Sequence, residues 1–300
     1  MPPPGPGRET ASCSRLAAVR ASPHAAVEKG STMRSGIAAA VALVCTVLLV
    51  PAALAANTDA TTCEGAIGAV VLDHLIVPEG ATCPLDGTQV LGDVTVEAGA
   101  TLTADFVRIG GGATLAPGSR FRTSDSAIDR DTTCAGCSQL VMVFMFDPVD
   151  FIPVEGDIHV AGMTDGHLHI EAGRISGDVE VTDSSGDFTF IDNSIGGKLL
   201  FTRNVGNAGF WFTSAERAIE ITGNTGAGAG FPADLTLVSV HAGKDLIFSG
   251  NTGPSDISES SAGKDLECFD NDPAPVGWGN SAGKDIEGQC AVLTGPFPEA

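Results

Sequence analysis

The chain has 300 residues, with 16 Lys and Arg against 37 Asp and Glu and a net charge of −21 at pH 7. Five of the basic and two of the acidic residues lie in residues 1–55, so the remainder has 11 basic and 35 acidic residues and a net charge of −24. We expect no nucleic-acid partner, because phosphate binding requires Lys and Arg. Tyrosine is absent, and Trp211 and Trp278 are the two tryptophans whose faces a carbohydrate site could use.

The segment 33–55 is predicted to be a secretory signal peptide. It has a basic start at Arg34, an apolar core and the cleavage pattern Ala53-Leu54-Ala55. Its apolar stretch is short for a membrane anchor, which needs about 20 residues, so we expect no transmembrane anchor after cleavage. Residues 1–32 are rich in Pro and Ala and precede an internal Met33. We expect them to be an untranslated or disordered leader.

Short repeats fill the rest of the chain. An early set, with steps of 19 residues, comprises the segments Leu75–Gly80, Val94–Gly99 and Ala113–Gly118. Apolar and polar residues alternate within the units, which predicts strands with one buried face. Such strands bury that face only by stacking on neighbouring repeats. A later set, with steps of 21, 20, 20, 27, 20 and 20 residues, begins at Gly156, Gly177, Gly197, Arg217, Lys244, Lys264 and Lys284.

Two further columns share the register of the later repeat. Phe190 and Phe210 are predicted to stack one coil apart in the core. Stacked asparagines can pass amide hydrogen bonds from coil to coil, and Asn tolerates the left-handed backbone of a sharp turn. The register persists across a 27-residue step, which favours a ladder over asparagines that merely occupy turns. The aligned residues are Asn204, Asn224, Asn251 and Asn271.

The repeat length predicts an all-β fold, a right-handed parallel β-helix with coils of 19–21 residues, as a single domain over residues 56–290. The chain resembles secreted bacterial β-helix proteins whose C-terminal coils carry GN, GGN and EGQC segments. The matching residues are Gly250–Gly253, Ala262–Cys268 and Gly279–Cys290. The segment Gly92–Leu102 is also similar to the short coils of bactofilin-type β-helices. A weaker likeness to pectate-lyase-like β-helices implies the same fold.

The stretch 122–154 does not fit the register and is predicted to be an irregular coil with a protruding loop. Its apolar run Leu140–Phe146 is interpreted as a buried strand. The alternative is an exposed patch that binds a partner. Residues 291–300 are predicted to form a C-terminal tail.

Six cysteines lie beyond the predicted signal peptide, an even number that favours disulfides in an exported chain. Residues one coil apart lie about 4.8 Å apart, and the Cα atoms of a disulfide lie roughly 4.4–6.8 Å apart. Two bridges between adjacent coils at the two ends are therefore expected, while the CAGC motif could also be a redox pair or half a zinc site. The predicted disulfides are Cys63–Cys83, Cys268–Cys290 and Cys134–Cys137.

No reaction is indicated, and a non-enzymatic role is favoured. Pectin hydrolases use clustered aspartates with a Gly-His and an Arg-Ile-Lys segment. This chain has Asp165-Gly166-His167 but lacks the Arg-Ile-Lys segment and a matching Asp-Asp pair. The enzyme hypothesis therefore depends on one tripeptide, and we predict no catalytic residue, no cofactor-binding residue and no cofactor.

Two groups of residues could bind metal ions. His159, His167 and His169 lie near Asp157 and Asp165, a combination that suits transition metals, but solvated histidines on two strands of one coil are favoured. Stacked carboxylates could bind Ca²⁺ weakly, and the neighbouring lysines would offset their repulsion. The stacked carboxylates are Asp245, Asp265, Asp285, Glu267 and Glu287.

The sequence therefore predicts a secreted, acidic, disulfide-stapled β-helix that serves as a non-enzymatic structural or surface module of the cell envelope or matrix. One alternative is a protein that binds or cleaves a cell-envelope polysaccharide. Another is self-association into a filament, which stapled ends disfavour.

Overall fold

A computed structural model describes residues 60–144, 154–227 and 234–296. Within these ranges the chain forms a parallel β-solenoid of about 10 turns. The predicted all-β parallel β-helix is confirmed. The predicted leader and signal peptide lie outside the described residues.

The longest sheet, sheet A, contains twelve parallel strands. They are Ala60–Thr62, His74–Val77, Val94–Val96, Ala113–Leu115, Thr132–Ala135, Ile158–Ala161, Val179–Thr182, Leu199–Thr202, Ile219–Thr222, Leu246–Ser249, Leu266–Phe269 and Ile286–Gly288.

Sheet B forms a second face from nine strands. They are Thr82–Asp86, Thr101–Asp105, Arg120–Ser124, Gln139–Val143, Gly166–Glu171, Ser185–Ile191, Val205–Trp211, Leu235–Val238 and Ser255–Ser258.

The third face, sheet C, consists of two-residue strands in groups of four and six, which are joined by bridges from Val154 to Ile128 and Ile175. The strands are Val71–Leu72, Gln89–Val90, Arg108–Ile109, Ala127–Ile128, Arg174–Ile175, Ser194–Ile195, Ser214–Ala215, His241–Ala242, Ser261–Ala262 and Ser281–Ala282.

The core runs along the solenoid as columns of buried side chains. Val179, Leu199 and Ile219 are consecutive partners in sheet A and are fully buried, as the alternation predicts. Phe190 and Phe210 stack with ring centroids 4.9 Å apart and an interplanar angle of 7°, which confirms the expected stack. Phe residues bury large apolar areas, so this column is a major part of the apolar core.

In the early coils, the corner from sheet A to sheet B is a local backbone turn. The N–H of Ala81 donates to the carbonyl of Pro78 (2.9 Å), and the N–H of Ser119 donates to the carbonyl of Ala116 (3.1 Å). Gly80 and Gly118 have φ of 69° and 71°, as the third position of a type II turn requires. Each of these turns therefore closes with its own backbone hydrogen bond, while the N–H groups of Gly80 and Gly118 donate to Ala98 and Gly136 of the next coil (3.1 and 2.8 Å).

In the later coils, the same corner is held by the predicted asparagine ladder. Asn251 accepts from the N–H of Asn224 at Oδ1 (3.0 Å) and donates from Nδ2 to the carbonyl of Ile221 (2.9 Å) and to Oδ1 of Asn271 (3.1 Å). One buried amide thus connects three successive coils. The ladder is confirmed at Asn204, Asn224, Asn251 and Asn271.

The opposite corner, from sheet B to sheet C, carries polar links that the sequence analysis missed. Asn193 accepts from the N–H of Gly173 (2.9 Å) and donates to the carbonyl of Ile170 (2.9 Å). Asn280 accepts from the N–H of Ser260 (2.9 Å). Ser126 accepts at Oγ from the N–H of Val107 (3.0 Å).

The expectation of an irregular coil over 122–154 is wrong for most of that stretch. The strand Gln139–Val143 pairs in register with Arg120–Ser124 on one side and with the strand that begins at Gly166 on the other. Leu140 and Met142 are fully buried, so the apolar run contributes a core strand as far as it is described. The extra residues fall after Phe144, and residues 145–153 lie outside the described residues.

The C-terminal end is closed by a short cap. A 3₁₀ helix over Gln289–Val292 follows the last strand of sheet A. Gln289 accepts at Oε1 from the N–H and Nδ2 of Asn271 (3.0 and 2.9 Å), so it terminates the asparagine ladder. The side chain of Leu293 is buried over the last coil. The domain therefore extends past the expected boundary at residue 290.

Candidate functional surfaces

The cysteines form the three predicted disulfides. Their Cα–Cα distances are 5.8 Å for Cys63–Cys83, 5.5 Å for Cys134–Cys137 and 5.1 Å for Cys268–Cys290. The first and third bridges lie near the two ends of the solenoid. The CAGC pair is buried beside the core, which leaves its sulfurs no access to a redox partner.

The three histidines considered as metal ligands do not come together. His159 lies on sheet A, where its ring nitrogens are 3.6 Å from Asp157 and 3.5 Å from Glu180. His167 and His169 lie on sheet B with their rings stacked at 6.1 Å, and His169 contacts Glu171 at 3.0 Å. Within the described ranges, no group of three or more His, Cys, Asp or Glu residues is arranged to hold a metal ion.

The stacked aspartates Asp245 and Asp265 accept mainly from backbone amides. Oδ1 of Asp265 accepts from the N–H of Asp285 (3.2 Å), and Oδ1 of Asp245 accepts from the N–H of Asp265 (3.4 Å). Lys284 Nζ lies 3.8 Å from Asp265 Oδ2. The expected offset by lysine is thus one part of a ladder in which Asp245 and Asp265 each accept from the next coil.

The carboxylates beside this ladder repel one another. Desolvation raises the pKa of Glu267, and the charges of Glu287, Asp245 and Asp265 raise it further. By contrast, the hydrogen bond from Arg203 lowers the pKa of Asp183, and that pair is an exposed ion pair of 2.7 Å. Perturbed pKa values point to catalytic groups where they coincide with a cleft, and neither Glu267 nor Asp183 lines the clefts at Arg174 described below.

A column of cations runs beside the aspartates. Arg217, Lys244, Lys264 and Lys284 are exposed at the same place in four successive coils, linked by backbone hydrogen bonds of 2.9–3.1 Å. Aspartates lie next to these cations, so this surface carries positive and negative charges side by side.

The outer face of sheet B carries a row of hydrogen-bonding side chains. Gln139, His167, Asp187 and Asn207 are Cα partners in four successive coils. Asn207 Nδ2 donates to Asp187 Oδ1 (3.1 Å). Three coil steps of about 4.8 Å give the row a length of roughly 14 Å.

A tryptophan lies flat next to this row. Gly209 lies two residues before Trp211 on the same strand, and a Cβ added at Gly209 would collide with the six-membered ring of Trp211. Glycine at this position therefore lets the indole lie across the sheet. We name the set Gln139, His167, His169, Asp187, Asn207 and Trp211 the His–Trp strip.

Two shallow clefts flank Arg174 at the corner beside the strip. The first, of about 280 Å³, is lined by Asp192, Ser194 and Phe212 among others, and the second, of about 300 Å³, by Ser194 and Glu216 among others. Phe212 is 60% exposed and directly follows Trp211. Both clefts are lined by a mixture of polar and apolar surface.

Trp211 was a candidate for a carbohydrate site from the sequence, but its place beside the histidines was not predicted. The signal was available in the register, because Asp187 and Asn207 lie 20 and 40 residues after His167. The tripeptide Asp165-Gly166-His167 is divided between a turn, where Asp165 has φ of 47°, and the strand that begins at Gly166.

No helix among the described residues has the length and apolarity to cross a membrane. Comparison of the chain with protein-family models, with curated proteins and with solved structures found no match. The resemblance to secreted bacterial β-helix proteins therefore stays a prediction, and the functional argument depends on the surfaces described above.

Proposed function

We propose that the chain is an exported, non-enzymatic β-solenoid that serves as a rigid extracellular or surface scaffold. The observation that carries this proposal is the disulfide near each end, Cys63–Cys83 and Cys268–Cys290. Solenoid ends are where the stack frays and where open strand edges associate. Disulfides persist in oxidising compartments, and these bridges are compatible with an extracellular location.

The interior supports a structural role. Buried amide ladders and stacked Phe rings run along the later coils, and about 10 turns at 4.8 Å give a rod of roughly 48 Å. Buried networks of satisfied polar groups stabilise one register. Such a rod holds the side chains on its faces at fixed spacing.

Export is tested by expressing the chain from Met33 with a C-terminal tag. We expect secreted protein whose N-terminus is Ala56 and whose six remaining cysteines resist alkylation until reduced. Intracellular protein with free thiols at Cys268 and Cys290 would contradict the proposal.

The absence of a reaction is tested separately. The purified secreted protein is incubated with neutral and acidic polysaccharides, and reducing ends are measured over a day. We expect no release above a heat-inactivated control. Release that increases with protein concentration would replace the scaffold proposal with the polysaccharide-cleaving alternative.

The cap argues against the filament alternative. A second copy stacked on the last coil would have to displace Gln289 from Asn271 and expose Leu293. We expect light scattering to give one molecular mass over a hundredfold range of concentration. A mass that rises with concentration would favour self-assembly.

A further inference from the structure

We propose that the His–Trp strip on sheet B is a binding site for a neutral polysaccharide, which lies along the solenoid axis. This inference goes beyond the scaffold role, because a rigid rod requires no ordered polar row on its outer face. The ligand class is a linear polymer of hexopyranose units without charged groups.

The first step is the aromatic platform. The indole of Trp211 lies flat over Gly209 on the outer face of the sheet and is only partly buried. The negative face of an indole attracts the weakly positive C–H groups of a sugar ring. The backbone fixes this orientation, since a side chain at position 209 would push the indole off the sheet.

The second step is the hydrogen-bonding row. Gln139, His167 and Asp187 present amide, imidazole and carboxylate groups from three successive coils, and Asn207, whose Oδ1 is buried, continues the row by donating to Asp187. Together they supply both donors and acceptors, as sugar hydroxyls require. The coil spacing of about 4.8 Å is close to the advance per ring of an extended hexopyranose chain, so successive rings would meet equivalent places on the row.

The third step is the charge. Asp187 and Glu171 lie on this face, and the chain beyond residue 55 carries a net charge of −24, which repels polyanions. Arg120 and Arg122 are exposed on the coil before Gln139, at the end of the strip away from Trp211. An acidic polymer would therefore bind near these arginines and would not depend on Trp211.

The site is tested by affinity electrophoresis of the secreted protein through gels that contain a soluble β-glucan, glucomannan or polygalacturonate. We expect at least one neutral polymer to retard the protein, and Trp211→Ala to weaken that retardation at least tenfold. Phe212→Ala is the matched control, because Phe212 is an exposed aromatic residue next to Trp211 but outside the strip. We expect it to change the affinity less than twofold.

Folding of each variant is checked by circular dichroism and melting. If Trp211→Ala does not fold, His167→Ala and Trp211→Phe replace it, with an expected loss of at least threefold each. Retardation by polygalacturonate alone, no retardation by any neutral polymer, or equal losses in Trp211→Ala and Phe212→Ala would each overturn the proposal. None of these outcomes bears on the stapled ends, so the scaffold proposal is judged independently.

Discussion

Between Leu75 and Ser119 the corner from sheet A to sheet B is a local turn with Gly in the left-handed region, whereas between Ser184 and Gln289 it is held by side chains of neighbouring coils. Both solutions satisfy the same backbone groups, which would otherwise be buried without partners. At the local turns, neighbouring coils are joined by backbone hydrogen bonds such as that from Gly80 N–H to the carbonyl of Ala98. The ladder adds buried side-chain hydrogen bonds between coils, so the later coils should unfold more cooperatively.

The largest loss of stability is expected from removing one asparagine of the ladder. Asn251→Ala leaves the N–H of Asn224 and the carbonyl of Ile221 without their partners. Each buried polar group left unsatisfied costs about 1–3 kcal/mol, so we expect a loss of roughly 3–4 kcal/mol in the free energy of unfolding. Denaturant titration measures the loss.

Hydrogen exchange then shows where Asn251→Ala acts. Faster exchange should extend over several coils on both sides of Asn251 and stop before the early coils. Uniform acceleration along the whole chain would contradict the coupling of the later coils by the ladder.

Removing the disulfide near each end compares the two ends of the solenoid directly. The double variants Cys268→Ser/Cys290→Ser and Cys63→Ser/Cys83→Ser should each lose about 3 kcal/mol, since each bridge closes a loop of about 20 residues. The first should increase proteolysis over several C-terminal coils, because Gln289 then loses its hold on Asn271. The second should expose only the first coils. Mass spectrometry of the fragments distinguishes these patterns, and equal patterns at both ends would remove the distinction between the two corners.

Substituting a glycine of the local turns should lower the free energy of unfolding by less than removing a disulfide does. Gly99 has φ of 66°, and an added Cβ would meet no atom within 4 Å, so Gly99→Ala introduces backbone strain without a clash. We expect a loss of about 1–2 kcal/mol, with faster hydrogen exchange confined to the coil of Gly99. Gly65→Ala, at an exposed glycine with equally open space and no left-handed φ, is the control and should be nearly neutral.

The smallest change in stability is expected from substituting Glu267. Its pKa is raised in the folded state by desolvation and by neighbouring carboxylates, so the folded state holds the proton more tightly than the unfolded state. Its contribution to stability is therefore greatest below the unfolded pKa and is lost as the pH rises through the folded pKa. Glu267→Gln should raise stability at pH 7 by no more than about 0.5 kcal/mol and flatten the dependence of melting temperature on pH in the acidic range. An unchanged dependence would show that Glu267 is not desolvated.

The sequence could predict those features that repeat at a fixed interval. The columns through Leu199 and Phe210, the asparagine ladder and the two disulfides near the ends all follow from residues of like chemistry about one coil apart. The links at Ser126, Asn193 and Asn280 were missed because Val107, Gly173 and Val240 occupy the same column, so side-chain chemistry changes while backbone geometry does not. The strand Gln139–Val143 was expected from its apolar run, but its place in the repeat register was missed because extra residues follow it before the next repeat.

The candidate binding surface could be predicted only in part. The register alone places His167, Asp187 and Asn207 in one row. That Trp211 lies across the sheet depends on the missing side chain of Gly209, and no periodicity marks this relation. A site composed of different residues on successive coils has no repeating signal by its nature.

The 27-residue step of the repeat, from Arg217 to Lys244, shows how the solenoid can accommodate an insertion. Asn224 and Asn251 remain bonded across it, and Ala208 and Leu235 remain paired, although seven more residues intervene than in a 20-residue coil. Extra chain is therefore accommodated between Thr225, which bridges Val205, and Leu235, which pairs with Ala208, while the ladder keeps the register. We expect the position between Ala227 and Asp234 to accept a grafted peptide or small domain, which would make the rod a carrier for foreign loops at a defined height along its axis.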